Sequence, residues 1–299
     1  MWANQILRGV LLGGYYGLIA SGLSFMFGVM RVINLAHGSL AVLAAYLLWT
    51  VSERWDISPF LGLVIVLPVM ALAGFMLQLT VLERSLRSGL LVPLLSTFGL
   101  AVLLDNLMFE TFGADTVSLA PNIGDLAFDS WNITDEITAG QLALLTFVTA
   151  VVLLGGLHLF LERTSWGRAI RATTEDPDTA ELVGINSRQV YAIAAAIALV
   201  TVGIAGTFLA MRAAIDPYAG PAQLIFAFEA VVIGGAGSLW GTLLGGIVLG
   251  VAQNLGSQIS PQGFLIGGHA VFLAILGARL FISGPELRLR IRALLRSSP

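Results

Sequence analysis

Glu229 is the one acid set deep in an apolar segment of this 299-residue chain. After it come 49 residues, Ala230–Ala278, with no Asp, Glu, Arg or Lys. A lone carboxylate is costly in hydrocarbon, so Glu229 must meet water, a proton or a cation. If the chain moves a solute unaided, Glu229 is the leading group for ion coupling. Otherwise it lines an outer vestibule or pairs with Arg212. A second polar break, Asn34-Leu35-Ala36-His37-Gly38-Ser39, interrupts another apolar run. Asn34, His37 and Ser39 are tolerated at such depth when they face protein or a water-filled path. His37 either hydrogen-bonds a carbonyl or touches a gate or solute. Ser96, Thr97, Gln253 and Asn254 are weaker candidates for the same path, and Ser238, closing Gly234-Gly235-Ala236-Gly237-Ser238, is a pore-lining one. Asp105 and Glu110 read as interfacial.

Catalysis has no constellation to work with. The three histidines are isolated, no metal-ligand pair shares a helix face, and no serine has a plausible base. Cysteine is absent, and all 15 basic residues are arginine, so the lysine of a phosphate-binding P-loop is missing. No catalytic residue, metal or cofactor is assigned, and nucleic acid is not an expected partner.

The elements that carry these residues belong to a membrane. Hydrophobic residues make up 57% and charged residues 11% of the chain, and mean hydropathy is +0.89, outside the range of soluble domains. A crossing needs about 20 apolar residues. Apolar segments fall at 6–29, 33–51, 58–81, 90–111, 137–161, 189–211, 222–236, 240–258 and 264–282. The first is longer than a signal-peptide core and reads as a retained span; the seventh is short, a half-helix or re-entrant turn. The expected fold is all-α, a single polytopic membrane bundle of eight or nine segments over residues 1–299.

Arginine placement orients the bundle. Loops near Arg31, 83–88 and 162–188, with Arg279 and the tail 283–299, hold twelve arginines and leave Arg8, Arg54 and Arg212 for the other face. That bias puts the C-terminus in the cytoplasm, and the acidic loop 112–136 outside. In the tail, Pro285 and Glu286 suit the first turn of a short helix, which either lies along the lipid surface or, the simpler reading, serves as a stop-transfer anchor. Gly9, Gly13 and Gly17, and Gly237, Gly241 and Gly245, recur every four residues, which predicts smooth faces for close helix packing.

Segment 162–188 is not a plain loop. Asp176 can cap a helix, Pro177 fits its first position, and Gly184 fits the residue past its last turn. These signals predict a short helix over Pro177–Val183, with Arg168, Arg171 and Arg188 around it. Read alone, such a helix joins two spans at the membrane surface.

The same residues carry a resemblance. Gly167-Arg168-Ala169-x-Arg171-Ala172, Glu175-Asp176-Pro177 and Ala180-x-x-x-Gly184-Ile185 resemble the coupling-helix segment of the branched-chain amino acid ABC transporter permeases. Val32–Ser39, Asp216-Pro217-Tyr218 and Val232–Ser238 match that family in the same order, and the chain looks like the shorter of its two permease subunits. The resemblance implies partners: a second homologous permease, two cytosolic ATPase subunits that bind ATP and Mg, an extracytoplasmic solute-binding protein and membrane lipid. It implies that Arg168, Arg171, Glu175, Asp176, Pro177, Ala180, Gly184 and Ile185 engage the ATPases in a bacterial inner membrane. Branched-chain or other neutral aliphatic amino acids are the implied solutes, with urea, short amides and small organic acids as alternatives. An ATP-independent channel or secondary transporter centred on Glu229 and His37 is the competing class.

Overall fold

The computed structural model describes residues 2–86, 89, 91–134 and 137–283. The expected tail helix at Pro285 and Glu286 lies outside the described residues. The chain runs α1 (Trp2–Met30), α2 (His37–Trp55), α3 (Pro59–Leu77), α4 (Glu83–Leu86), α5 (Leu91–Phe112), β1 (Ser130–Thr134), β2 (Ile137–Gly140), α6 (Gln141–Arg163), α7 (Ser165–Glu175), α8 (Pro177–Leu182), α9 (Ser187–Arg212), α10 (Gly220–Gly234), α11 (Leu239–Ser257) and α12 (Gly263–Ser283). Among the described residues, seven helices are long and apolar enough to cross a membrane: α1, α3 with its continuation to Leu86, α5, α6, α9, α11 and α12. Adding α2 and the 15-residue α10 recovers the nine segments expected from hydropathy.

Small residues decide which helices sit inside. α1 and α9 are buried over most of their apolar stretches, whereas few residues of α12 are fully buried. Along α1, a Cβ on Gly9 would come within 2.6 Å of Val251 Cα, and one on Gly13 would collide with Ile247 Cα. Gly246 and Gly250 of α11 meet the α1 backbone reciprocally. α9 is approached in the same way: Gly74 of α3 faces the Ala195 carbonyl, and Gly206 faces the Ala41 carbonyl of α2. Backbones this close gain dispersion contacts that larger side chains would forbid. The exposed leucines and valines of α3, α5, α6 and α12, such as Leu61, Leu103, Val152 and Leu273, form the outward apolar surface.

Two helices start inside the bundle. After Met30, Arg31 turns the chain at φ 56°, and residues 31–36 run back beside α1. His37 Nε2 then lies 2.6 Å from the Ile19 carbonyl, eleven residues above the end of α1, or about 16 Å at the helical rise. Thr97 of α5 holds this return, accepting from the Leu35 amide at 3.0 Å while donating to the Pro93 carbonyl. Gly220, the first residue of α10, packs against the start of α2, where a Cβ on it would lie 2.8 Å from Ser39 Cα.

The loop expected at 112–136 is more ordered than a connector. Val117 and Ile215 exchange backbone hydrogen bonds at 2.9 Å, stitching the loop to the end of α9. A 3-10 turn follows at Pro121–Ala127, and β1 pairs antiparallel with β2.

Candidate translocation path and coupling segment

The polar break at 34–39 sits at the meeting of α1, α2, α5 and α10. His37 is buried, and with Nε2 on the Ile19 carbonyl it serves as a backbone partner that fixes the level at which α2 begins. Asn34 Oδ1 accepts from the Ala36 amide at 3.0 Å, completing the turn, while its Nδ2 is buried without a partner among the described residues. The Ser39 hydroxyl faces the carboxyl of Asp105. Asp105 is packed inside the protein: it is 6% exposed, and its Oδ1 has no partner among the described residues. Glu110, one and a half turns further, is exposed. Ser96 is half-buried beside buried Thr97.

Glu229 has a different partner from the one expected. Its Oε1 lies 2.5 Å from Nδ1 of His269 on α12, while Arg212 lies over the Tyr15 ring at 4.5 Å. Glu229 is 3% exposed and its Oε2 is unpartnered among the described residues. Around it lies a polar seam in an apolar bundle. Tyr16 donates to Gln253 Oε1 at 2.5 Å, and Tyr15 donates to Gln223 Oε1 at 2.7 Å. The Phe226 ring is tilted against Tyr16 and parallel to His269, with centroids 5.2 and 6.5 Å away. The sequence did contain a signal for His269, since it is the one ionisable side chain in the uncharged stretch after Glu229.

The second glycine series divides between two jobs. Gly241 and Gly245 lie on α11 against the Gly234 and Ala230 carbonyls of α10. Gly237 is not on that stripe. It stands in the α10–α11 turn at φ 86°, against Gly28 of α1. Ser238 is the exposed N-cap of α11, its Oγ accepting from the Gly241 amide at 3.1 Å.

At the same end of the bundle lies the segment that joins α6 to α9. The predicted helix is α8, ending one residue earlier, at Leu182. Asp176 Oδ1 accepts from the Asp178 and Thr179 amides, and Oδ2 accepts from the Thr179 hydroxyl at 2.5 Å. These donors, the Thr179 hydroxyl first, hold its carboxyl below the usual range. Gly184 at φ 87° and the Ile185 amide on the Ala180 carbonyl close the other end. Ala180 is buried, so the outward face is carried by Leu182 and Val183, 87% and 74% exposed. Arg168, Arg171 and Glu175 are also exposed.

The sequence reading missed α7. Thr164 caps it by accepting from the Gly167 amide, and Gly167, Ile170 and Thr173 are buried at three-residue spacing, a pattern present in the sequence. α7 is seated on the end of α1: Thr174 Oγ1 donates to the Val29 carbonyl at 3.3 Å. Beside it a cavity of about 150 Å³ lies between Arg171, Thr174 and Glu175 on one side and Gly28 and Gly237 on the other.

Crossing-length helices around two interior helix starts, with polar groups gathered inside and a capped helical unit at one end, define a polytopic membrane transport bundle. The profile of the branched-chain amino acid transport system / permease component family matches residues 5–283, and the chain belongs to that family. It is 32% identical over 269 residues to the high-affinity branched-chain amino acid transport system permease protein LivH of Salmonella typhimurium, covering 85% of each chain. It is 30% identical over 272 residues to the corresponding protein BraD of Pseudomonas aeruginosa, covering 86% of this chain and 87% of that one. A solved structure, PsaBC from Streptococcus pneumoniae in complex with Fab, aligns over 97% of this chain and 94% of that one, at 14% identity and a TM-score of 0.44.

Proposed function

We propose that this chain is one of two permease subunits of an ATP-driven importer for branched-chain or other neutral aliphatic amino acids. It forms half of the translocation path and leaves ATP hydrolysis to two cytosolic ATPases. A second, homologous permease and a solute-binding protein complete the assembly. The chain lies in a bacterial cytoplasmic membrane with α7, α8 and the C-terminus on the cytoplasmic side, as the arginine distribution directs.

The observation that carries this reading is the α7–α8 unit. A capped helix with two exposed apolar residues at its end, Leu182 and Val183, offers a compact knob for a partner cleft. A short capped helix transmits displacement as a rigid body, where a floppy loop would absorb it. Behind the knob, α7 bears on Val29 of α1 and faces the Gly237 turn. Closure of the ATPases would thus move the end of α1 and the α10–α11 turn together, and with them the helix that holds Glu229. Arg168, Arg171 and Glu175 flank the knob as charged contacts.

The test is uptake of labelled L-leucine by proteoliposomes containing the full assembly, with and without ATP. Uptake should require ATP, the binding protein and both permeases. Leu182→Asp with Val183→Asp should abolish recovery of the ATPases while the permease pair still purifies as a folded complex. Leucine passage without ATP, or full ATPase recovery with the double variant, would sink the coupling reading.

A further inference from the structure

A cavity of about 470 Å³ opens at the hairpin end of the chain, opposite α7 and α8, between α1, α6, α9, α11 and the 3-10 turn. It falls in the ~300–1,000 Å³ range of small-molecule sites. Three of its lining residues are charged: Arg8, Arg212 and Asp129. Among the described residues none of the three forms an ion pair. Arg8 donates to Thr138 Oγ1 at 3.3 Å. Arg212 has one face of its guanidinium over the Tyr15 ring, which leaves the N–H edge for an acceptor. The rest of the wall is largely apolar, including Leu11, Leu142, Met211 and Phe264.

We propose that this cavity is a receiving site for a zwitterionic aliphatic amino acid on its way into the permease. The solute carboxylate is held by Arg212 with Arg8, its ammonium by Asp129, and its side chain by the apolar wall. Each part of the wall answers one part of such a molecule. A guanidinium already fixed on an aromatic ring loses little freedom on gripping a carboxylate. An unpaired carboxylate on the same rim selects for a cation, and a branched aliphatic chain fits the leucine- and methionine-lined floor. Specificity would then rest partly on the permease and not wholly on a delivery protein. The proposal rests on the importer reading for its solute class and goes beyond it in naming a site.

Binding is measured by calorimetry on the full complex in phosphatidylcholine nanodiscs, without ATP or binding protein. The probes are L-leucine, isovalerate (no amine) and isoamylamine (no carboxylate). Leucine should bind more tightly than either fragment. Arg212→Gln should weaken leucine and isovalerate by roughly 10- to 100-fold, the range for a lost charged hydrogen bond, and spare isoamylamine. Asp129→Asn, on an exposed loop residue, should weaken leucine and isoamylamine and spare isovalerate. Equal leucine binding by wild type and both variants would overturn the site. So would no binding by a complex that still takes up leucine with ATP, and that result would leave the importer reading standing. Loss of leucine binding when phosphatidylglycerol is added would assign the cavity to an anionic lipid and overturn the proposal. Leucine bound with the expected variant pattern by a complex that never imports it would instead remove the importer reading and keep the site.

Discussion

His269 Nδ1 lies 2.5 Å from Glu229 Oε1, joining α12 to α10 across forty positions of sequence. The carboxylate is almost fully buried, whereas the imidazole edge reaches the outside of the bundle. α12 otherwise packs on α11 through small residues: a Cβ on Gly263 would collide with the Gly256 carbonyl oxygen, and one on Gly267 would lie 2.7 Å from that of Ala252. Arg279 adds a further polar tie to α10, its Nη2 donating to the Ile233 carbonyl at 2.8 Å.

The Glu229–His269 contact should therefore be visible in stability. His269→Ala leaves the carboxylate buried without a partner, at a cost of about 1–3 kcal/mol. Glu229→Leu combined with His269→Leu removes both polar groups and should recover most of that loss. Thermal unfolding in detergent checks both; a His269→Ala protein as stable as wild type would mean the contact contributes nothing.

The α1–α11 seam predicts a sharp contrast between two glycines. Gly13→Val should destabilise the bundle by roughly 1–3 kcal/mol through overpacking, because even a Cβ collides with Ile247. Gly99, on α5, has no atom within 4 Å of an added Cβ. Gly99→Ala should be neutral or slightly stabilising. Denaturation of the two variants side by side decides the matter, and equal effects would remove the packing argument.

Gly237 joins a positive φ to close contact with Gly28. A leucine there costs about 1–2 kcal/mol for the left-handed backbone and pushes α1 from the α10–α11 turn. The expected outcome is a complex that still elutes as a single species from size-exclusion chromatography but hydrolyses ATP without moving solute. Normal uptake by Gly237→Leu would show that this turn does not relay the motion of α7.

The cap of α8 has a pH signature. The Asp176 carboxyl is held below its usual range by the Thr179 hydroxyl and the Thr179 and Asp178 amides. A depressed folded value means the stabilisation is fully present above the unfolded value of about 3.9 and is lost as pH falls through the folded one. α8 should therefore be unchanged between pH 7 and 5 and fray only on stronger acidification. Hydrogen exchange at the Thr179 amide reads this directly. Asp176→Asn keeps an acceptor that does not titrate and should remove the pH dependence.

The spans, the arginine-rich end and the short helix after Asp176 were legible in the sequence because each is decided by neighbours within a few residues. Apolar length, positive charge beside it, and a cap-proline-glycine spacing are local signals. The family motifs added that the bundle carries a transport path, and the profile match agrees over residues 5–283. The partner of Glu229 was not legible: sequence proximity favours Arg212, whereas the fold brings His269 across and turns Arg212 onto Tyr15. Nor was the depth of His37, which depends on residues 31–36 returning beside α1 to the level of Ile19. The glycine series looked like two equal stripes until α11 met α1 on one side and α10 on the other, with Gly237 left in a turn. In an apolar chain any face is greasy enough to pack. Which faces meet is decided by backbone approach between residues tens to hundreds of positions apart, and only the tertiary structure holds that information.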